Sequence, residues 1–389
     1  MVNITIDFET YSEANLKKVG AWKYSEHPST DIICMSWAID DGPWNVWVPG
    51  YEFPRELWVA IGNPNTTVEA HGSMFERAIW QNIAEPRYLF PAMLLEQWRC
   101  TMAACAYKAI PLKLEHGAKV LGLKNQKDMD GHRVMLRVSK PDKHGVRDED
   151  FGRLQVTYGY CGQDLETERE MSGVVEPLPP QELALWRLDQ EMNERGIQID
   201  LAGVRSALVV ANSIESRYTE KLKILTGGRV KTVGQITEIV GFCASKGVNI
   251  PNLQKITVSG TLAGDIPPVV RSVLEIRQAI GRSSTKKYDA MLRVACADGR
   301  ARGLIQYHGA TTGRFAGRLI QPHNFTRGVY KVEPDDLVGA IMLEDPELLD
   351  MIYGSAMQAV SDAVRMMLVA GPGKTLVAGD YNAVEARVL

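Results

Sequence analysis

A short proline-rich stretch near the middle of the chain limits what this sequence can fold into. Residues 175–180 read VEPLPP, and three prolines in six positions forbid a continuous helix and favour an extended linker. Before this stretch short strand-like patterns alternate with helical ones, whereas long helical patterns prevail after it. The stretch therefore predicts a boundary between an α/β domain and a mainly helical region.

The composition is typical of a soluble globular protein. The 389 residues are 45% hydrophobic and 23% charged, and no apolar run approaches the roughly 18 residues that a membrane helix needs. The six cysteines are scattered without a Cys-x-x-Cys pair, which favours buried reduced thiols over disulfides or a zinc site. The first residues lack the layout of a signal peptide. We therefore expect two or three domains, a cytoplasmic location and no membrane contact.

The spacing of apolar residues predicts the main elements on both sides of the boundary. The segment 126–150 is polar with alternating charge and predicts an exposed loop. The predicted strands cover 2–8, 32–39, 44–48, 67–70 and 375–380, and the predicted helices cover 73–83, 151–172, 181–195, 201–225, 267–293 and 345–369.

Positive charge is concentrated in one part of the chain. The whole sequence has a net charge of −3, yet residues 277–331 contain eleven Lys and Arg against two acidic residues. Such a block is suited to a polyanion, although it also fits one solvated face.

Three short segments of the first domain carry acidic or phenolic side chains. Asp7 and Glu9 lie two residues apart in the first predicted strand, so both side chains leave the same face. Glu76 lies where a loop turns into a helix, and Tyr160 and Asp164 are four residues apart on one helical face. Each segment alone also fits an ordinary role, such as a solvated strand end or a carboxylate at a helix start.

In this order and at these distances, the three segments together resemble the DEDD exonuclease pattern of proofreading domains, in its tyrosine-containing form. The resemblance implies a ribonuclease H-like fold and 3′→5′ hydrolysis of DNA with two Mg²⁺ (or Mn²⁺) ions about 3.5–4 Å apart. It implies that Tyr160 orients the attacking water and that the ions are held by Asp7, Glu9, Glu76 and Asp164.

Two positions depart from this family pattern. The family usually has Asp where this chain has Glu76, and usually Asn where it has Gly72. Glutamate keeps the charge but is longer by one methylene. His71 is the candidate for the hydrogen-bonding role of the Asn that is absent.

A second group of motifs lies in the basic block. Residues 310–318, ATTGRFAGR, and 321–324, QPHN, resemble the palm entry of family A DNA polymerases, relatives of bacterial DNA polymerase I. The resemblance implies that Arg314 and Asn324 contact the primer–template near its 3′ end, with Arg318 also binding DNA. The flanking residues that would contact phosphates are Arg282, Lys286, Lys287, Arg293, Arg300 and Arg302.

The last residues resemble motif A of the same polymerases. In the segment 379–389, GDYNAVEARVL, the resemblance implies that Asp380 ligates the polymerase Mg²⁺ ions and that the Tyr381 backbone lies beside the triphosphate. Glu385 would be the steric gate against a ribose 2′-OH. Residues 181–200 likewise resemble the start of the polymerase region in phage enzymes.

Two expected polymerase motifs do not occur in the sequence. No His is followed by Asp, and neither Tyr-Gly pair, at 158–159 or at 353–354, has a Lys at the family's distance before it. We therefore predict the N-terminal part of a replicative family A polymerase, which needs the remaining palm and the fingers to polymerise. It is either a split subunit completed by a second polypeptide or a truncated product. Its DNA partners would be a primer–template and a single-stranded 3′ end. The alternatives are a stand-alone 3′→5′ exonuclease and a non-catalytic DNA-binding or assembly module.

The predicted fold class is α/β. A ribonuclease H-like exonuclease domain at 1–175 precedes a mainly helical thumb-like region at 176–298, and an incomplete α+β palm follows at 299–389. If the gene belongs to a phage, the location is the cytoplasm of the bacterial host.

Overall fold

The computed structural model describes residues 2–281, 285–379 and 382–383. They form two compact units. The first comprises the chain up to Gly196 together with Arg293–His323, and the second comprises Ile197–Leu292 together with the described residues from Asn324 onward. These packing units do not follow the predicted boundaries at 175 and 298, and the three functional domains stay a prediction.

The strands are numbered in chain order. They are β1 (Asn3–Tyr11), β2 (Asp31–Ile39), β3 (Asn45–Trp47), β4 (Thr67–Ala70), β5 (Trp98–Cys100), β6 (Ile197–Ile199), β7 (Arg300–Ala301), β8 (Ile305–Gln306), β9 (Ala316–Gly317) and β10 (Leu368–Val369).

The α-helices are numbered in the same way. In the first 200 residues they are α1 (Leu16–Val19), α2 (Ala21–Ser25), α3 (Arg55–Ile61), α4 (Met74–Ile79), α5 (Glu85–Tyr88), α6 (Thr101–Tyr107), α7 (Leu114–Leu121), α8 (Met129–Val138), α9 (Phe151–Val174) and α10 (Pro180–Arg195). Beyond them are α11 (Leu201–Leu225), α12 (Ile236–Ser245), α13 (Lys255–Leu262), α14 (Pro268–Gly281), α15 (Thr285–Val294), α16 (Pro334–Met342), α17 (Pro346–Tyr353) and α18 (Ala356–Ala363).

A five-stranded mixed sheet forms the centre of the first unit, in the order β3-β2-β1-β4-β5. β1 is antiparallel to β2 and parallel to β4, which is in turn parallel to β5. Ile4, Ile6 and Phe8 alternate along β1 and are buried in the main hydrophobic core. The predicted α/β class is confirmed, while the ribonuclease H-like detail stays a prediction.

The long helix α9 packs against β1 and β2. Asp150 caps its start, since the Asp150 side chain accepts a hydrogen bond from the Arg153 backbone N–H. The helix also packs against α7 and α8. It therefore carries its side chains to the β1 face that does not enter the main core.

The predicted loop at 126–150 is wrong in its first half, because α8 lies there. Asp128 caps α8 by accepting a hydrogen bond from the Asp130 backbone N–H, and Gly131 and Val138 are its buried positions. The remaining positions of α8 are partly or fully exposed, and half of them are apolar. Its five apolar residues and the Asp128 cap are helical signals, but the charged residues around them favour a loop.

The second unit is built on α11, which contacts α14, α16, α17 and α18. The predicted single helix over 345–369 is wrong. Helix α17 ends at Gly354, whose φ is +75°, and Ser355 caps the start of α18 by accepting from the Gln358 backbone N–H. The predicted helix over 267–293 corresponds to α14 and α15, with residues 282–284 outside the described part. The described residues 375–379 of the predicted last strand form no strand.

No helix in the described ranges is both long and apolar enough to cross a membrane.

Candidate active site

Asp7 and Glu9 lie on the face of β1 that meets α9. The Cys161 thiol of α9 donates hydrogen bonds of 3.3 Å to both the Asp7 backbone carbonyl and Asp7 Oδ2. Burial raises the pKa of Asp7 to about 7, with a further contribution from the charge of Asp164. Burial and the charge of Asp7 also raise the pKa of Glu9 well above its usual range.

Glu76 is placed by the short helix α4, which follows β4. Its side chain is only 4% exposed, and its pKa is raised well above the usual range by burial and by the charge of Asp7. Gly72, just before this helix, has a φ of +97°. An L-residue with a side chain rarely adopts that conformation, so the loop favours glycine where the family pattern has Asn.

Tyr160 and Asp164 lie one turn apart on α9, and both are buried. The pKa of Tyr160 is raised by burial first and then by the charges of Asp164, Glu9 and Asp7. A hydrogen bond to Asp164 contributes as well. The structure therefore brings the first-domain site residues close enough for their charges to act on one another.

Lys127 supplies a positive charge to this carboxylate cluster. Its Nζ donates a 3.0 Å hydrogen bond to Asp164 Oδ2, and it lies 5.1 Å from the centroid of the Tyr160 ring. The Lys127 charge also lowers the pKa of Asp7 and of Glu9, partly offsetting their burial. An ammonium here favours the ionised carboxylates in the way that a bound cation would.

The cluster has unused acceptors that fit divalent cations. Glu76 Oε2 and Asp164 Oδ1 are buried and have no hydrogen-bond partner among the residues that the structure places. Unpartnered buried carboxylate oxygens are costly, and oxygen ligands are those that Mg²⁺ and Mn²⁺ prefer. Within the described ranges, however, no three His, Cys, Asp or Glu side chains form a ready metal-binding group. The predicted metal set stays a prediction.

His71 is occupied by two other contacts. Its Nδ1 lies 2.8 Å from Thr101 Oγ1 and its Nε2 lies 2.8 Å from the Leu112 carbonyl oxygen. Burial lowers the pKa of His71 to about 4, so the ring is neutral at pH 7 and Nε2 donates to the carbonyl. Both ring nitrogens are therefore engaged in holding the segments that follow β5 and precede α7.

The predicted DNA-binding residues are divided between the two units. Arg314 and Arg318 belong to the first unit and are exposed, and Lys286 and Asn324 belong to the second and are exposed too. Gly313 precedes Arg314 with a φ of +77°, as expected for a tight turn.

Lys287 and Arg302 are less open to solvent. Lys287 lies 5.6 Å from the Phe325 ring centroid, and burial lowers its pKa. Arg302 donates two hydrogen bonds, of 2.8 and 2.7 Å, to the Asp298 carboxylate. Its guanidinium is therefore already engaged, and its role in DNA binding stays a prediction. Asp380, Tyr381 and Glu385 lie outside the described residues.

Comparison with known proteins shows that this chain is similar to a DNA polymerase. The DNA polymerase of Bacillus phage SP02 is 32% identical to it over 405 aligned residues, which cover 100% of this chain and 61% of the phage protein. The similarity to that phage DNA polymerase extends over the whole of this chain. The relationship to DNA polymerases predicted from the sequence is thereby confirmed. The chain spans about three fifths of the length of this relative.

The fold of this polymerase relative resembles that of a solved polymerase structure. The structure described as the POL domain of Pol1 from M. smegmatis, in complex with DNA primer-template and dNTP, matches with a TM-score of 0.53 and 12% identity. The match covers 88% of this chain and 54% of that one. At this identity the similarity concerns the fold. No protein-family profile matches the chain.

Lys127 and Glu168 are the members of the cluster that sequence reasoning missed. Glu168 lies one turn beyond Asp164 on α9, is 1% exposed, and has its pKa raised well above the usual range by burial and by the charges of Glu69 and Asp7. Its i+4 spacing from Asp164 was a usable helical signal. Lys127 lies in a loop, where spacing gives no direction for a side chain.

Proposed function

We propose that this chain is the N-terminal part of a family A replicative DNA polymerase and that residues 1–175 form a 3′→5′ proofreading exonuclease domain. The observation that carries the exonuclease assignment is that the charges of Asp7 and Asp164 raise the pKa values of their neighbours: Asp164 acts on Asp7 and Glu9, and Asp7 acts on Glu9 and Glu76. Burying several carboxylates together is costly unless a cation compensates them. Such clusters are typical of catalytic metal sites.

The proposed chemistry is hydrolysis of the terminal phosphodiester of a single-stranded 3′ end. Asp7, Glu9, Glu76 and Asp164 would hold two Mg²⁺ or Mn²⁺ ions, which supply charge neutralisation at the attacking and leaving oxygens. The Tyr160 hydroxyl keeps its proton, since its pKa is raised, and so it can donate to or orient a water molecule. The neutral His71 ring holds the segment before α7 through its hydrogen bond to the Leu112 carbonyl, and it adds no charge to the site.

The polymerase assignment rests on sequence motifs and on the similarity to the phage DNA polymerase. Arg314, Arg318 and Asn324 would bind the primer–template, and Asp380, Tyr381 and Glu385 would belong to the nucleotide site. The triphosphate-binding helix and the second palm carboxylate do not occur among these 389 residues. We therefore propose that this chain extends a primer only together with a second polypeptide or a further segment that carries the triphosphate-binding helix and the second palm carboxylate.

One experiment separates exonuclease activity from the non-catalytic alternative. A 5′-labelled single strand is incubated with the protein and Mg²⁺, and the product ladder is read on a denaturing gel. The wild type should shorten the strand from its 3′ end, Asp7→Ala should abolish the ladder, and the exposed-loop variant Asp41→Ala should leave it unchanged. Full activity of Asp7→Ala, or no ladder from the wild type, contradicts the exonuclease assignment.

A second experiment addresses the stand-alone exonuclease alternative. Affinity for a primer–template duplex is measured against salt concentration. A polymerase fragment should bind the duplex with a steep salt dependence that Arg314→Gln weakens, because each phosphate contact releases counterions. Binding of single strands alone, with no effect of Arg314→Gln, favours an exonuclease without a polymerase role.

A further inference from the structure

A cavity of about 200 Å³ lies inside the first unit, and none of the four cluster carboxylates lines it. Three parts of the unit enclose it: the chain around the starts of α4 and α6, the middle of α10, and the segment from Gly303 to Arg318. Its apolar walls include Met74, Met102, Ala103 and Trp186. A thioether-lined wall with one large aromatic face suits a flat ring.

One buried polar atom in this wall, Oδ1 of Asp189, has no hydrogen-bond partner among the described residues. Asp189 is 2% exposed, and its Oδ2 accepts a 3.0 Å hydrogen bond from Gln190 Nε2. Its other oxygen, Oδ1, has no hydrogen-bond partner in the part of the chain that the structure covers. A buried acceptor of this kind costs free energy until a donor reaches it. The carboxylate has no role in the proposed hydrolysis.

One positively charged side chain, that of Arg318, also lines the cavity. Arg318 is exposed and lines the cavity as well, so its side chain stands where the cavity meets solvent. Its backbone N–H donates a 2.7 Å hydrogen bond to the Leu304 carbonyl, which holds this residue against the wall. The cavity thus combines an acceptor inside, apolar walls and a cation at the opening.

We propose that this cavity binds a deoxynucleoside 5′-monophosphate, with the base inside and the phosphate on Arg318. Guanine fits best, because its edge presents two neighbouring N–H donors to the Asp189 carboxylate. An apolar cavity of about 150 Å³ holds benzene in another protein, so about 200 Å³ admits a purine base with its sugar at the opening. The choice of a nucleoside monophosphate rests on the proposed function, since it is the product of 3′→5′ hydrolysis.

Titration calorimetry of the full chain with dGMP tests the proposal, in EDTA so that the carboxylate cluster holds no metal. The wild type should bind one dGMP saturably. Deoxyinosine monophosphate, which lacks the 2-amino group, should bind more weakly. Asp189→Asn should weaken dGMP binding at least about tenfold, since a charged hydrogen-bond acceptor is lost. Arg318→Gln should weaken dGMP but not deoxyguanosine.

Controls separate binding from folding and from hydrolysis. Asp265→Asn, an exposed change in the second unit, should leave the affinity unchanged, and thermal unfolding should show that Asp189→Asn is folded. No saturable dGMP binding by the wild type overturns the proposal, as does equal affinity of folded Asp189→Asn. Failure of the exonuclease assignment would instead remove the product ladder and leave binding in EDTA intact.

Discussion

Lys127 Nζ lies 3.0 Å from Asp164 Oδ2, so a lysine ammonium neutralises a carboxylate inside the cluster where divalent cations are proposed to bind. Both side chains are largely buried, with 16% and 9% of their surface exposed. A pair of this kind is more weakly screened by salt than a surface pair. The positive charge lets the acidic side chains share one site in the absence of a metal.

Replacing Lys127 by Gln should destabilise the metal-free protein. Asp164 and its acidic neighbours then lose their compensating charge, at a cost of about 2 kcal/mol in the free energy of unfolding. Urea unfolding in EDTA measures this, with the exposed Lys124→Gln on the same segment as the control. Mn²⁺ should restore more stability to Lys127→Gln than to the wild type. Equal stability of both variants in EDTA would show that the pair does not hold the cluster together.

Asp189 should make the stability of the first unit depend on pH. Burial raises its pKa from 3.8 to about 7, although the hydrogen bond from Gln190 lowers it in part. The folded state therefore holds the proton more tightly than the unfolded state, so this contribution to stability is present below about pH 4 and is lost as pH rises through about 7.

Asp189→Asn removes that loss. The free energy of unfolding of Asp189→Asn minus that of the wild type should increase by about 1–3 kcal/mol as the pH is raised from 5 to 8. Urea unfolding at several pH values measures the difference. Parallel stability curves of wild type and variant would mean that Asp189 titrates normally in the folded protein.

Gly72→Ala should destabilise the protein by about 1–2 kcal/mol, because Gly72 has a φ of +97°. The cost is conformational, since the nearest atoms to an added Cβ lie 3.9 Å away, on Met102. Gly159→Ala, in the interior of α9 with nothing within 4 Å, should instead be neutral or stabilising. Thermal unfolding compares the two. If both variants behave alike, backbone conformation is not the reason for glycine at 72.

Asn193→Ala should loosen the attachment of the 293–323 segment to α10. Asn193 Nδ2 donates to the Ile305 carbonyl and Asn193 Oδ1 accepts from the Ile305 N–H, each at 2.9 Å. Losing both leaves two backbone groups unpaired, at a cost of about 2 kcal/mol. Hydrogen exchange of the Ile305 amide should accelerate, whereas Asn212→Ala, at an exposed position of α11, should leave it unchanged. Unchanged protection at Ile305 would contradict this role.

Local signals in the sequence predicted much of the helical framework. The bounds of α11 agree with the prediction, because its apolar spacing is regular and Asp200 caps its start by accepting from the Gly203 backbone N–H. Helix α8 was missed because charged residues, Pro141 and Gly145 dominate the surrounding segment 126–150 and favour a loop. The break between α17 and α18 depends on the left-handed conformation of Gly354, which a helical pattern does not report.

The sequence predicted most residues of the candidate site that lie in regular elements, but it missed Lys127, which lies in a loop. Asp7, Glu9, Tyr160 and Asp164 lie in regular elements, where spacing fixes the face that each side chain takes. Lys127 reaches the cluster from a loop, and its contact with Asp164 depends on how the 123–128 segment packs on α9. The cavity around Asp189 is formed by parts far apart in the chain, so no local pattern indicates it.

Mn²⁺ binding to the carboxylate cluster tests the central claim most directly. Calorimetry and electron paramagnetic resonance of the nucleic-acid-free chain should find two ions per molecule with spin coupling between them. Asp7→Asn should lose this pair of coupled ions, while Asp41→Asn should keep it. Two coupled ions in the wild type, lost only when the cluster is altered, are the predicted result. Binding of no Mn²⁺, or binding that Asp7→Asn does not change, would contradict a two-metal exonuclease site built on Asp7, Glu9, Glu76 and Asp164.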